Sequence, residues 1–359
     1  MTRERAKYKD IRRILVKGTN WVGDTIMSFP AVYSLRQLFP QAHISVLVRY
    51  PLDELWKANP AIDEVIPYTM PAGVRRLVGE LQIARLIKQR EIDLAIIFPR
   101  SLSAALMVFL GGIPHRIGYK SEGRDWLLTE RVGRTDEVLQ GHRMRYYLRL
   151  IEALGHISAP PLPALALNGT MGTWASGFLS RHGITSKRLI GFNPGATYGE
   201  AKSWPPERFA ELGRRLVKDH GTALLIFGAA GPEEKKLNDS IAKRIGKGCL
   251  NLTGRTSLME LAALLRHCQL LVTNDTGTMH IAAAIGTRTV AIFGPTDPRT
   301  TAPLGEGHVL IREDVSCSPC LKRVCPEDHR CMELIGVDTV YNKVSVQLTG
   351  KTPVEQKKC

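Results

Sequence analysis

Residues 270–286, LLVTNDTGTMHIAAAIG, join an apolar run to an alanine-rich helical pattern through Asn274, Asp275, Thr276 and Gly277. These residue types suit an anion. Free N–H groups at the start of a helix over 277–285, with its positive dipole end, form a socket for a pyrophosphate. Gly277 lets the backbone approach closely, and Thr276 adds a hydroxyl donor. His280 lies about one helical turn further on and can point the same way. A histidine here also suits an ordinary core position; beside an anion site it reads as a donor to phosphate.

Three more loops share the strand–turn–helix form. In VKGTNWVGDTIMSFPA (16–31) a glycine turn leads to Asp24. The turn is not GxGxxG, so it carries no dinucleotide fingerprint. An acid at this place serves either as a helix cap or as a group aimed beyond the strand end. In NPGATYGEAKSWPPERF (193–209) the amides of Pro-Gly-Ala-Thr can cradle an anion, and Lys202 can place a charge on a phosphate. In FGAAGPEEKKLNDSIA (227–242) Glu233 and Glu234 suit a first helical turn. A carboxylate there can also hold a ribose hydroxyl.

Such loops need rigid strands behind them. Strand-like runs fall at 13–17, 43–49, 93–98 and 115–119, separated by helical patterns such as 31–39 and 74–89. After a proline-rich stretch at 156–170 the alternation restarts, with runs at 189–195, 223–228, 270–275 and 289–294. Near-continuous apolar strands between helices predict α/β units with parallel sheets covered on both faces. Ligands of such sheets bind beyond the carboxyl ends of the strands. The expected organisation is one domain over 1–165, a second over 166–348, and a disordered tail over 349–359.

The chain has 359 residues, 44% hydrophobic and 23% charged, with a net charge of +15. A surface this basic favours polyanions: nucleic acid, an anionic membrane face or a phosphorylated substrate. Aromatics are only 6%, without the basic–aromatic interleaving of single-strand binders, so no nucleic acid is expected. The N-terminus has no apolar segment long enough for a secretory signal. The longest apolar run, 104–113, is too short to span a bilayer. A cytoplasmic protein follows as the expectation, peripheral to an anionic membrane. The basic stretches 74–90 and 141–150 are candidates for that contact, or are solvated helix faces.

Cys317, Cys320, Cys325 and Cys331 form a separate cluster, with His329 among them. The C-x2-C pair suggests zinc, but the later spacings fit no common finger. Reduced structural cysteines, or disulfides formed on isolation, are the expectation, without a tightly bound metal.

GTNWVGDTIMSFPAV, NPGATYGEAKSWPPERF and TNDTGTMHIAAAIGTRTVAIFGPTDPRTTAPLG together resemble the heptosyltransferases of lipopolysaccharide core synthesis, glycosyltransferase family 9. The resemblance runs in order over most of the chain. NWVGDTIMSFPA and the cysteine segment look most like members that add the second heptose. The resemblance implies a GT-B fold, two Rossmann-like domains facing across a cleft. The N-terminal domain would take the lipopolysaccharide inner-core acceptor. The C-terminal domain would take the donor, ADP-L-glycero-D-manno-heptose. Transfer would invert the anomeric centre and need no cofactor. Asp24 matches the family's base, and Lys202 its phosphate-binding lysine. Asp275, Thr276, Gly277 and His280 match its donor motif. Thr19, Asn20, Thr197 and Glu234 are assigned to the donor by the same likeness, although the turn before Glu234 is spaced differently. Three rivals stand beside this: a transferase of another nucleotide sugar, a nucleic-acid-binding protein, and a UDP-sugar epimerase of similar fold.

Overall fold

The computed structural model describes residues 8, 10–73, 75–121, 123–157, 159–184, 188–196 and 198–350. The chain divides between Ala166 and Leu167 into two compact units.

Unit 1 holds a parallel sheet of β1 (Arg13–Lys17), β2 (His43–Arg49), β3 (Glu64–Tyr68), β4 (Leu94–Ile97), β5 (His115–Tyr119) and β6 (Glu130–Val132), ordered β3-β2-β1-β4-β5-β6. Unit 2 holds β7 (Leu189–Asn193), β8 (Ala223–Ile226), β9 (Cys249–Asn251), β10 (Leu270–Asn274), β11 (Arg288–Phe293) and β12 (Val309–Arg312). Its order, β12-β11-β10-β7-β8-β9, repeats the same doubly wound topology. In each sheet the first strand sits between the second and the fourth. The direction of winding therefore reverses at β1/β4 and at β7/β10, where crevices for ligands open beyond the strand ends.

The central strands are apolar along their length because helices cover both faces. Ile14, Leu15 and Val16 of β1 have no exposed surface, nor have Leu270, Leu271 and Val272 of β10. The helices carry their own start and stop signals. Ser257 and Glu260 form a reciprocal capping box at the head of the Leu258–His267 helix. Pro206 opens the Pro206–His220 helix, and Gly221 ends it at φ +62°.

Three expectations are corrected. A helix over 31–39 begins earlier: the Val22–Leu38 helix runs through Pro30. Proline removes one intrahelical bond, but residues 25–32 are all buried and the helix packs against Arg143–Glu152. That packing outweighs the local break. The tail does not begin at 349, because the Val337–Thr349 helix is closed by Gly350 in the left-handed region; residues 351–359 lie outside the described set. The proline-rich stretch ends before 170, since Asn168 caps the Gly169–Arg181 helix. No helix among the described residues is long and apolar enough to cross a membrane.

Candidate functional site

In unit 2 the switch point is lined by the polar ends of β7 and β10. Asn274 faces its neighbour strand: its side-chain amide donates to Pro194 O at 2.6 Å and its oxygen accepts from Trp204 N at 3.1 Å. It thereby ties the 194–204 loop to β10. Asn193 Oδ1 accepts from Thr278 Oγ1 at 2.9 Å, and Thr276 Oγ1 lies 3.2 Å from Thr273 Oγ1. These bonds hold the turn into the Gly277–Ala284 helix. Thr276 occupies the N-cap in extended conformation but makes no side-chain cap bond. An anion can thus meet the amides of that first turn. His280 lies in this helix and is buried.

The structure pairs two residues that the sequence presents separately. Lys202 Nζ donates to Asp275 Oδ2 at 2.6 Å, and Thr296 Oγ1 donates to the same oxygen at 2.8 Å. Both charged side chains are largely buried, 12% and 5% exposed. Tyr198 presents its ring 4.8 Å from the ammonium. The ion pair fixes the ammonium beside the helix start without a ligand, which is the preorganisation that diphosphate stabilisation needs. Thr197 lies outside the described residues.

Glu234 sits in the first turn of the Pro232–Ile245 helix. Its carboxylate passes over two glycines: a Cβ on Gly195 would lie 2.0 Å from Oε1, and one on Gly228 2.7 Å. Both glycines are required by that close approach rather than by a turn. Burial raises the Glu234 carboxyl above its ordinary value, opposed by a backbone hydrogen bond at Ala229. A half-desolvated carboxylate is suited to accept from sugar hydroxyls.

The cysteine segment has a use that its spacing does not reveal. Arg323 O accepts from Ala201 N at 3.1 Å, and a Cβ on Gly199 would lie 2.3 Å from that oxygen. Tyr198 donates to Leu321 O at 3.1 Å, and a His329 ring nitrogen lies 2.8 Å from Ala201 O. The segment therefore clasps the 198–202 turn and sets the height of Lys202. Cys317, Cys320, Cys325 and Cys331 line one cavity of about 240 Å³ behind it. Among the described residues no cysteine is in a disulfide, and no three His, Cys, Asp or Glu side chains are arranged to hold a metal ion.

In unit 1 the corresponding loop follows β1. Asp24 is the third residue of the Val22–Leu38 helix, and the N-cap is Trp21, which makes no side-chain cap bond. The reading of Asp24 as the cap is corrected accordingly. Its Oδ1 accepts from Tyr147 Oη at 2.8 Å, across 123 residues of sequence. Burial and then the adjacent carboxylate push the Tyr147 phenol well above its ordinary value, so it stays a donor. Thr19 is buried, its hydroxyl 2.9 Å from that of Thr25; Asn20 is exposed. Both belong to unit 1, and Thr19 is used within its own loop.

Lys17, at the end of β1, was not singled out by sequence. It is fully buried, donates to Gly18 O at 2.9 Å, and lies over the Tyr68 ring. Burial, helped by Arg49, pulls its pKa down to about 7. The folded state therefore binds this proton more weakly than the unfolded chain, whose lysine titrates near its ordinary 10.5. The penalty is full below pH 7 and disappears as the unfolded lysine also deprotonates. We expect Lys17→Met to raise the melting temperature most at pH 6 and least near pH 10, the penalty being of order 3–5 kcal/mol. Thermal unfolding of both proteins across that range checks it; a pH-independent difference would show that folding does not shift the Lys17 pKa.

Comparison with known proteins agrees with this arrangement. The family described as Glycosyltransferase family 9 (heptosyltransferase) matches residues 81–330. Lipopolysaccharide heptosyltransferase 2 of Escherichia coli is 32% identical over 307 residues, 84% of this chain and 88% of its own. Lipooligosaccharide heptosyltransferase 2 of Haemophilus ducreyi is 32% identical over 312 residues, with the same shares. The solved E. coli ADP-heptose LPS heptosyltransferase II superposes with a TM-score of 0.81 at 28% identity, over 94% of this chain and 99% of that one. A family 9 glycosyl transferase from Veillonella parvula shares the fold, with a TM-score of 0.85 at 24% identity over 95% and 98% of the two chains. Two Rossmann-like units of the GT-B class and a glycosyltransferase's motifs in order lead to one assignment: the chain belongs to glycosyltransferase family 9, the heptosyltransferases.

Proposed function

We propose that this enzyme moves L-glycero-D-manno-heptose from ADP-heptose to the inner core of lipopolysaccharide, adding the second heptose, with inversion. The observation that carries the donor half is the buried Lys202–Asp275 pair beside the uncapped Gly277–Ala284 helix. Charge that develops on a leaving diphosphate meets an ammonium and helix amides already in place. Glu234 takes the ribose hydroxyls. Unit 2 is the donor domain and unit 1 the acceptor domain.

Asp24 is the base. An acceptor hydroxyl attacks the anomeric carbon from the face opposite the diphosphate, and its proton passes to the Asp24 carboxylate. The C–O bond to ADP breaks as the new glycosidic bond forms, which inverts the centre. Tyr147 holds the carboxylate's other flank through its hydroxyl. No metal is needed in this scheme, because Lys202, His280 and the helix amides carry the leaving charge. Nucleic acid has no part in it. The protein works on the cytoplasmic side, in peripheral contact with the inner membrane where the acceptor is anchored.

Calorimetry with ADP, UDP and GDP tests the donor half. ADP should bind at least about tenfold more tightly than either pyrimidine or guanine diphosphate, a difference of ~1.4 kcal/mol. Equal binding of all three would favour a transferase of another nucleotide sugar, whose diphosphate these motifs would serve equally well.

A further inference from the structure

Most of the exposed large apolar side chains of unit 1 fall on two packed helices and the turn beside them, whereas Trp21, Tyr50, Leu139 and Leu162 lie elsewhere. Leu77 and Val78 each stand about one turn before Leu81 on the Arg75–Lys88 helix, and the three are 64%, 56% and 53% exposed. The other exposed positions of that helix include four cations: Arg75, Arg76, Arg85 and Lys88. Its acid, Glu80, is buried and turned inward, accepting from Arg76 at 3.2 Å and from Ser103 of the next helix. The solvent face thus mixes large aliphatics with positive charge and carries no negative charge.

The neighbouring Leu102–Leu110 helix packs against it and continues the pattern. Leu102, Phe109 and Leu110 fall at i, i+7 and i+8, on one stripe, and are 48%, 38% and 41% exposed. Trp126, 63% exposed, meets Phe109 edge-on at 5.6 Å. Trp126 also borders an open cavity of about 600 Å³ whose rim bears three cations, Lys120, Arg131 and Arg134, against one acid, Asp125. Isolated exposed leucines need no explanation, but a band of them bordered by cations does.

We propose that unit 1 docks on an anionic lipid bilayer through this face. The aliphatic and aromatic tips enter the acyl boundary, and the arginines and lysines meet the headgroup phosphates. Charge complementarity selects this occupant. A second copy of a chain of charge +15 would bring like charges together. A nucleic acid would leave the aliphatic trio without a partner. The inference deepens the proposed function, which supplies the reason for a lipid-anchored acceptor to be met there.

Sedimentation with vesicles, in the absence of donor and acceptor, tests it alone. The full-length protein should partition onto vesicles containing phosphatidylglycerol and stay in solution with phosphatidylcholine alone. Leu77→Ser/Leu81→Ser and Arg85→Glu/Lys88→Glu should each lower that partitioning about tenfold or more, with ADP binding by calorimetry unchanged. Wild-type protein left in the supernatant with anionic vesicles would overturn the proposal. So would variants that partition as wild type, or a wild-type dimer that both variants convert to monomer. Transfer to a lipid-free acceptor reads the proposed function separately, whichever way the vesicles decide.

Discussion

Asp24→Asn is expected to lower kcat by about 10²–10⁴-fold, the usual contribution of a positioned acid–base group. Asparagine keeps the volume and can still accept from Tyr147 Oη, which now lies 2.8 Å from the carboxylate. It cannot take a proton. Because Asp24 is the third residue of its helix and not its cap, the substitution removes no N-cap. Stability should change little and ADP binding should hold. Tyr147→Phe is the companion. It deletes only a buried hydroxyl that donates to a carboxylate, so it should cost ~1.5–3 kcal/mol of stability and slow turnover less than Asp24→Asn. Steady-state kinetics at saturating donor and acceptor, beside thermal unfolding, distinguish the two. Wild-type turnover in Asp24→Asn would remove the base from the mechanism.

Lys202→Ala and His280→Ala should each weaken transition-state stabilisation by about 2–4 kcal/mol, roughly 30- to 1000-fold in rate. The loss belongs in kcat more than in acceptor KM, since both groups are assigned to the leaving diphosphate. Lys202 carries a second consequence. Its removal strands Asp275, 5% exposed, with Thr296 as its remaining side-chain donor among the described residues. Leaving a buried charge unpaired typically costs 3–5 kcal/mol, so Lys202→Ala should also melt early. Lys202→Ala/Asp275→Asn separates the effects: it should regain stability, because no charge is left buried, while the rate stays low. A double variant that regains both would place Lys202 in the fold rather than in the chemistry.

The parts of this chain that were legible in its sequence share a physical cause. β1, β2, β7 and β10 are covered on both faces, so each reads as an unbroken apolar run, and the loops after β1, β7 and β10 announce themselves by glycine and proline. The outer strands β3, β6, β9 and β12 carry no such signal. They are short, three to five residues, and carry outward polar groups such as Glu64 and Glu130. At an edge nothing forces an apolar run.

The site divides in the same way. Asp24, Lys202, Asp275, Thr276, Gly277 and His280 stand in motifs that punctuation exposes. Their partners do not. Nothing in the local sequence marks Tyr147 as the residue that grips Asp24, nor joins Lys202 to Asp275 across 73 positions. Lys17 looks like the ordinary polar end of a strand until β2 and β4 close over it. In the cysteine segment the thiols are the conspicuous feature of the sequence, whereas the contacts that bear on the site come from the backbone around Arg323 and from His329.

Transfer itself tests the central claim most directly. The purified enzyme is incubated with ADP-L-glycero-D-manno-heptose and, in parallel, with heptose-free and mono-heptosylated inner-core acceptors, and the products are weighed by mass spectrometry. The expected result is the gain of one heptose on the mono-heptosylated acceptor, release of one ADP for each heptose moved, and little or no gain on the heptose-free core. ADP-heptose left intact with both acceptors, or heptose released without transfer, would contradict it.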